Sequence, residues 1–323
     1  MTDLINGVRS EPTIEVVGPE GAAVVLEIVR AAFADREPLD PPTDALAETE
    51  ETIAARLAAG AGLVARIDGR PVASVLLDAE PDGRTVHLRR FGLTPEARGQ
   101  GLAVALVREA LHAATTLGDG RAERAMVFAR EELPRTARFW RQQGFAEVGR
   151  TAPYVELARA LPRRIEVPTP EDMQALATRI AGVVGAGDVL VLSGDLGAGK
   201  TTFTQGLGAA LQVRGAITSP TFVISRVHPS LVGGPDLVHV DAYRLGGAAE
   251  LDDLDLDTDL DRAVTVVEWG EGLAEDLADS PLEIRITRAV GADGDAADTG
   301  DNDPRTVELD PLGRRWLGVD LIG

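Results

Sequence analysis

Apolar residues in the first half of the chain follow two different periods. Four apolar runs have the length and composition of strands, and they span residues 13–17, 62–80, 85–94 and 124–130. A Gly-Arg-Pro turn divides the second run into two strands. Between these runs, apolar residues recur at the spacing that is typical of amphipathic helices. The predicted helices span Ala22 to Phe33, Leu102 to Leu117 and a short segment that ends at Gly144.

The second half continues this alternation with five more strand-like runs. They span residues 188–193, 221–228, 236–243, 263–269 and 282–289. Helices are predicted from Thr169, where a capping threonine precedes a proline and two acids, after Lys200, and over residues 246–260. Both halves therefore have the pattern of the α/β class.

Three prolines and two arginines lie close together near the middle of the chain, at residues 162–170. Prolines interrupt long elements and arginines favour solvent exposure, so we predict a break there, with the domain boundary at about residue 162. The predicted domains are residues 1–162 and residues 163–323, and no internal repeat relates them.

The amino-acid composition limits the kinds of ligand and binding partner that this chain can have. The formal net charge of −20 repels phosphate backbones, so strong direct binding of nucleic acid by the whole surface is disfavoured. The chain has no cysteine, which excludes disulfides, thiolate metal sites and cysteine nucleophiles. The first residues lack a signal pattern, and no run of about 18 apolar residues occurs. We therefore expect a cytoplasmic protein that has no membrane partner.

A phosphate-binding loop is the strongest motif, because residues 194–201 match G-x-x-x-x-G-K-[ST] completely. Glycines let backbone N–H groups face phosphate oxygens, and the following helix adds the positive end of its dipole. Lys200 is predicted to reach the β- and γ-phosphates, and Thr201 to ligate Mg²⁺. A predicted strand before the loop and an amphipathic helix after it argue against a chance glycine-rich turn. The predicted nucleotide-binding residues are Gly194, Asp195, Leu196, Gly197, Ala198, Gly199, Lys200, Thr201 and Thr202.

Two acids are candidates to complete this site. A phosphate-binding loop needs a carboxylate at the end of a neighbouring strand, where it holds metal-bound water. Asp241 ends one predicted strand and Glu268 ends another. Ligands collect at the carboxyl ends of strands in open α/β sheets, which favours both acids for this role. The alternative for each is an ordinary acid that faces solvent.

Three more motifs follow the loop, namely TSPTF at residues 218–222, HVDAYRL at 239–245 and VVEWGE at 266–271. Together with GDLGAGKTT, residues 165–289 closely resemble the bacterial TsaE family, the small P-loop ATPases of tRNA threonylcarbamoyladenosine synthesis. The resemblance implies a P-loop NTPase sheet with helices on both faces. We expect this sheet to be mostly parallel, with antiparallel additions near its C-terminus.

The same resemblance implies ATP and Mg²⁺ as cofactors, and TsaD and TsaB as partners through which tRNA is reached only indirectly. It assigns catalytic roles to Lys200, Asp241 and Glu268, and metal contacts to Thr201 and Glu268. Our hypothesis is that Glu268 holds Mg²⁺ through water, while Asp241 orients the attacking water. Thr221 and Trp269 are implied as switch-like residues, although Trp269 could equally be a core or interface aromatic. We assign the neighbouring strand histidine, His239, no part in proton transfer.

A second glycine-bearing turn precedes a helix in the first half, where R-x-x-G-x-[GA] is matched by Arg98, Gly99, Gln100, Gly101, Leu102 and Ala103. With ARFWRQQGFAEVG downstream, residues 13–157 resemble the GNAT acetyltransferase family, whose fold is a mixed, twisted sheet with flanking helices. The resemblance implies that the backbone of this turn holds the pyrophosphate of acetyl-CoA.

Two positions depart from the GNAT pattern. Trp140 stands where many of these enzymes have a tyrosine that protonates the leaving thiolate, and an indole N–H is far too weak an acid for that step. Leu133 stands where many have asparagine. Direct attack does not require the tyrosine, so we expect slow acetyl transfer to an unidentified acceptor. Glu80 and Glu96 are conceivable bases.

The leading interpretation is a GNAT domain fused to a TsaE-like ATPase. One alternative is a small-molecule kinase, although the arginines after Lys200 do not form the cluster that a kinase lid uses. A second is a protein or small-molecule acetyltransferase whose phosphate-loop half is a regulatory nucleotide sensor. A third treats the first half as a non-catalytic binding module.

Overall fold

A computed structural model describes residues 12–34, 39–218, 225–244, 261–270, 277–288 and 304–322. The chain divides into two compact units, Met1–Leu161 and Pro162–Gly323. Each unit has its own mixed sheet of seven strands, so the predicted α/β class is confirmed. Among the described helices, none is both long enough and apolar enough to cross a membrane.

The sheet of the first unit has the strand order β1-β2-β3-β4-β5-β7-β6. Its strands are β1 (Thr13–Val17), β2 (Ala61–Ile67), β3 (Arg70–Ala79), β4 (Thr85–Leu93), β5 (Arg124–Arg130), β6 (Ala146–Thr151) and β7 (Tyr154–Ala160). Only β4 and β5 run parallel, and their ladder extends from the pair Thr85–Arg124 to the pair His87–Met126. Beyond that point, residues of both strands line a cavity instead.

Four α-helices in the described part of this unit cover both faces of the sheet. They are α1 (Ala22–Ala34), α2 (Glu50–Ala59), α3 (Leu102–Ala114) and α4 (Pro134–Gln142). Leu76 packs in a cluster with residues of α1 and α2, whereas its neighbour Leu77 packs in another with residues of α3 and α4. Successive residues of a strand point to opposite faces, so the two helix pairs lie on opposite sides. The sequence prediction missed α2, whose buried apolar face is only Ile53 and Leu57.

The sheet of the second unit has the order β10-β11-β12-β9-β13-β14-β8. Its strands are β8 (Arg163–Val167), β9 (Val189–Ser193), β10 (Ser225–His228), β11 (Asp236–Asp241), β12 (Ala263–Glu268), β13 (Leu282–Arg288) and β14 (Arg305–Pro311). The four central strands, β11, β12, β9 and β13, run parallel. Antiparallel strands extend the sheet at both edges.

Two details of the second sheet correct the sequence prediction. Antiparallel pairing is not confined to the C-terminal part, because β10 adds an antiparallel edge on the other side. The sequence prediction also missed β8, since residues 163–167, just after the predicted domain boundary, form a strand that pairs with β14. The prolines at positions 162 and 168 flank this strand and do not interrupt it. Ile165 and Val167 alternate with more exposed residues, as expected of an edge strand.

Two described helices belong to the second unit, α5 (Pro170–Ala181) and α6 (Lys200–Ala210). Thr169 caps α5 as predicted and forms a capping box with Asp172. The helices pack closely, since a Cβ atom added at Gly206 would lie 2.8 Å from the Cα atom of Gln174. The helix predicted over residues 246–260 lies outside the described residues.

Candidate functional site

The predicted phosphate-binding loop connects the buried strand β9 to the first turn of α6, which is the position that phosphate binding by a helix N-terminus requires. Gly194 begins the loop with φ +141°, and a Cβ atom there would overlap the carbonyl oxygen of Ile286. Gly199 ends the loop in the left-handed region and caps α6 without a side-chain hydrogen bond. The first N–H groups of α6 therefore have no competing cap and can bind an anion.

Lys200 is the only lysine in the chain, and it is buried. Its ammonium donates to the carbonyl oxygens of Gly194 at 2.7 Å and Asp195 at 3.1 Å. The Nζ atom also lies 3.7 Å from the ring centroid of Trp269. Burial lowers the pKa of the Lys200 ammonium, while nearby carboxylates, above all that of Glu268, oppose this shift. Lys200 thus links the end of the loop to its first two residues and places a positive charge in the site.

The two candidate acids lie side by side at the carboxyl ends of adjacent parallel strands. Asp241 and Glu268 are direct partners in the register of β11 and β12. Both side chains are buried, with residue exposures of 5% and 2%, so the alternative of solvent-facing acids does not hold. The Thr201 hydroxyl donates to Glu268, with Oγ1 3.2 Å from Oε1. The structure thus brings together Lys200, Thr201 and both acids.

Trp269 follows Glu268 directly and adopts a left-handed backbone conformation with φ +61°. Its N–H donates to the carbonyl oxygen of Leu192 at 2.9 Å, which ties it to the end of β9. Its ring packs against Tyr243 with centroids 5.2 Å apart, and Tyr243 is 65% exposed. Trp269 is itself half-buried, so it is a rim residue of the site and not a core aromatic. Thr221, the other switch-like candidate, lies outside the described residues.

Sequence reasoning missed two residues of this site. His239 is fully buried on β11, and its Nε2 atom lies 2.9 Å from Oε1 of Glu268. Its position two residues before Asp241, on the same strand face, was the available signal. Arg305 begins β14, and its guanidinium donates to the loop carbonyls of Ala198 at 2.9 Å and Gly197 at 3.3 Å. No local motif marks Arg305, because its contact depends on pairing between distant segments.

The donor set fits a metal-bound nucleotide. Hydroxyl and carboxylate oxygens such as those of Thr201 and Glu268 are the ligands that Mg²⁺ prefers. Within the described ranges, no group of three or more His, Cys, Asp or Glu residues could hold a metal ion. In nucleotide sites generally, Mg²⁺ keeps several waters and is bound by one or two protein ligands together with phosphate oxygens.

The first unit has a cavity of about 770 Å³ on the side where β4 and β5 no longer pair. Gly99 and Ala103, from the predicted pyrophosphate turn, line one part of it. In that turn, Gly99 and Gly101 have φ values of +75° and +77°, and Gly101 caps α3 without a side-chain hydrogen bond. The backbone at the start of α3 is therefore free to meet an anion at the cavity wall.

Another part of the cavity wall depends on a bulge in β4. Arg90 adopts φ +53° where the register between β3 and β4 shifts. Its guanidinium is held by Glu48, with Nε 2.8 Å from Oε1, and by Asp44 at 3.0 Å. These contacts lower the pKa of Asp44, chiefly through the hydrogen bond from Arg90. The network fixes the segment before α2 as part of the cavity wall, and no sequence motif predicted it.

Trp140 is mainly a packing residue. It is 4% exposed, and its ring centroid lies about 5 Å from those of Phe91, Phe139 and Phe145. Glu80, one of the two candidate bases, is paired with His87 at 2.6 Å. Glu96, the other, is exposed in a short 3-10 helix. The wall of the cavity does include one phenol, that of Tyr154, whose ring lies 5.4 Å from the Arg130 guanidinium.

These features define an α/β protein of the P-loop class. A strand leads into a glycine-rich loop and then into a helix that bears Lys200 and Thr201, and two buried carboxylates lie beside them at strand ends. Residues 167–294 match the family model of the threonylcarbamoyl adenosine biosynthesis protein TsaE. The TsaE protein of Streptomyces coelicolor is 57% identical over 150 residues, which cover 46% of this chain and 97% of that protein. The chain therefore belongs to the TsaE family, as the sequence motifs predicted.

Other comparisons extend this result. The TsaE protein of Bacillus subtilis is 38% identical over 148 residues, covering 46% of this chain and 84% of that protein. Residues 25–145 match the acetyltransferase (GNAT) family model, which confirms the second resemblance. The solved structure of the PaiA N-acetyltransferase of Thermoplasma acidophilum, in complex with coenzyme A, covers 47% of this chain and 99% of its own, at 13% identity and a TM-score of 0.41.

Two loop glycines should differ sharply in their tolerance of alanine. Gly194→Ala combines backbone strain of about 1–3 kcal/mol with a steric overlap of about the same size. Gly197→Ala meets no atom within 4 Å and carries only the left-handed strain of φ +75°, about 1–2 kcal/mol. Urea unfolding of the two full-length variants measures the difference. Equal losses of unfolding free energy would show that the loop does not adopt this conformation.

Proposed function

We propose that the second unit is a magnesium-dependent ATPase that acts with TsaD and TsaB in tRNA threonylcarbamoyladenosine biosynthesis. The observation that carries this proposal is the buried group of Lys200, Thr201 and Glu268 at the phosphate-binding loop. The named TsaE relatives support the pathway. A net charge of −20 favours protein partners over direct contact with tRNA.

In the proposed reaction, each residue of the site has a role that follows from its position. The N–H groups of the loop and of the first turn of α6 bind phosphate oxygens. Lys200 exchanges at least one of its two loop carbonyls for a phosphate oxygen, so its charge moves from the loop to the ligand. Thr201 and Glu268 hold the metal, and Asp241 orients the attacking water. Bound Mg²⁺ supplies positive charge that offsets the charge developing on the phosphate oxygens.

The kinase alternative would need a second pocket for an acceptor next to the loop. Arg305, a described arginine in contact with the loop, donates to loop carbonyls, where it supports the backbone. This contact favours hydrolysis over transfer to a metabolite. Turnover of ATP with release of inorganic phosphate, and no phosphorylated metabolite, distinguishes the two reactions.

Lys200→Ala should abolish ATP turnover, measured with and without TsaB and TsaD. Loss of a preorganised charge contact of this kind costs about 3 kcal/mol or more, roughly a hundredfold in rate. Arg179→Ala is the matched control, because it removes the same charge from an exposed position on α5. Stimulation of the parent by the two partners supports the pathway role. Parent-like turnover in Lys200→Ala would refute the assignment of the loop.

We also propose that the first unit binds acetyl-CoA and transfers acetyl to an amine that remains to be identified. The match to the GNAT family model, together with the cavity beside the uncapped start of α3, supports this activity. The backbone of Gly99 to Ala103 binds the pyrophosphate, and acetyl-CoA supplies an activated acyl group. Because Trp140 cannot protonate a thiolate and is held in the core, we expect transfer to be slow, by about 10²- to 10⁴-fold relative to an enzyme with a general acid.

Gly101→Glu should abolish the binding of acetyl-CoA to the full-length protein, measured by calorimetry. The carboxylate would repel the pyrophosphate, and the side chain would cover the turn. Gly69→Glu is the control, because Gly69 has nearly the same φ, +75°, and equally open space in a turn between β2 and β3. The control should bind like the parent. No heat from the parent, or equal losses in both variants, would refute the proposed cofactor site.

A further inference from the structure

His239 lies inside the second sheet, on the strand next to its β10 edge. It is fully buried on β11, which pairs with β10 on one side and β12 on the other. Its register partner on β12 is Val266, so Glu268 lies two residues further along on the same face. The imidazole therefore reaches diagonally across two parallel strands to the carboxylate.

The Glu268 carboxylate needs such a donor. A buried carboxylate is costly unless its oxygens accept hydrogen bonds. Oε1 accepts from the Thr201 hydroxyl at 3.2 Å and lies 2.9 Å from Nε2 of His239. Thr201 lies farther from Oε2, at 3.5 Å. The two shorter contacts converge on Oε1, and Oε2 keeps lone pairs for a metal-bound water.

The environment of the imidazole defines which nitrogen carries the proton. Nδ1 of His239 is buried, and no hydrogen-bond partner for it occurs in the described part of the chain. Nε2 faces a carboxylate oxygen, which can only accept. A proton on Nε2 therefore lets the ring donate to that oxygen. His239 is accordingly a fixed donor to Glu268.

We propose that His239 is a positioning residue for magnesium. It holds Oε1 of Glu268 so that Oε2 faces the metal shell that Thr201 completes. This inference rests on the proposed ATPase function and assigns His239 no proton transfer. Residues that orient a metal ligand in this way typically contribute about 10- to 100-fold to metal affinity.

A matched control exists in the same unit. His228 is also buried, and it lies on β10 next to β11. Its Nδ1 atom contacts the carbonyl oxygen of Arg214 at 3.1 Å, away from the phosphate-binding loop. A substitution of His228 therefore disturbs a buried histidine of this sheet without removing a contact to Glu268.

The test is the magnesium dependence of binding of a fluorescent ADP analogue to the full-length protein. His239→Asn lacks the reach to Glu268, so the magnesium concentration for half-maximal binding should rise about tenfold or more. Affinity in EDTA should stay within about twofold of the parent, because the loop itself is intact. His239→Gln places an amide N–H near the Nε2 position and should restore most of the magnesium affinity. His228→Asn should match the parent.

Parent-like magnesium dependence in His239→Asn would overturn the inference, and so would equal effects of Asn and Gln. A parallel loss of affinity in EDTA would also overturn it, because it would show a structural role. The parent is measured first, so absence of nucleotide binding there would refute the proposed function itself. ATP turnover of the same variants gives a second readout, in which excess magnesium should recover His239→Asn.

Discussion

The burial of the Lys200 ammonium beside the carboxylates of Asp241 and Glu268 is the interaction on which the second unit depends. A buried charge is tolerated only when opposite charges and hydrogen bonds compensate it. Here the loop carbonyls, the Trp269 ring and the two acids together provide that compensation. Under the proposed function, the same set of charges would prepare the loop for phosphate oxygens, because Lys200 can exchange partners without leaving the site.

Strand order supplies this arrangement. β9 lies between β12 and β13, so the loop that follows it emerges next to the end of β12. Parallel register then places Asp241 beside Glu268, and the next residue, Trp269, bonds back to β9. The first unit uses a related device on a different sheet, since β4 and β5 stop pairing and leave room beside the uncapped start of α3. In each unit, the start of a helix therefore lies beside a pair of parallel strands. These are β4 and β5 in the first unit, and β9 and β12 in the second.

Features encoded by neighbouring residues were predictable from the sequence. The phosphate-binding loop, the Thr169 cap and the acids at the ends of two apolar strands all depend on short stretches of chain. His239 and Arg305 were missed because their contacts require the register of strands that are distant in sequence. β8 was missed because it is short, and its flanking prolines and its arginines outweigh two apolar residues. The sequence marks Trp140 as a departure from the GNAT pattern, but its place among three phenylalanine rings required the fold.

The most direct test of the account compares Glu268→Gln with Asp241→Asn in a titration of Mg²⁺ against ATP binding and turnover. The account predicts that Glu268→Gln raises the magnesium requirement. It also predicts that Asp241→Asn keeps near-normal nucleotide affinity while turnover falls about a hundredfold or more. A reversed pattern would exchange the two roles. Parent-like behaviour of both variants would contradict the claim that these buried carboxylates form the magnesium nucleotide site.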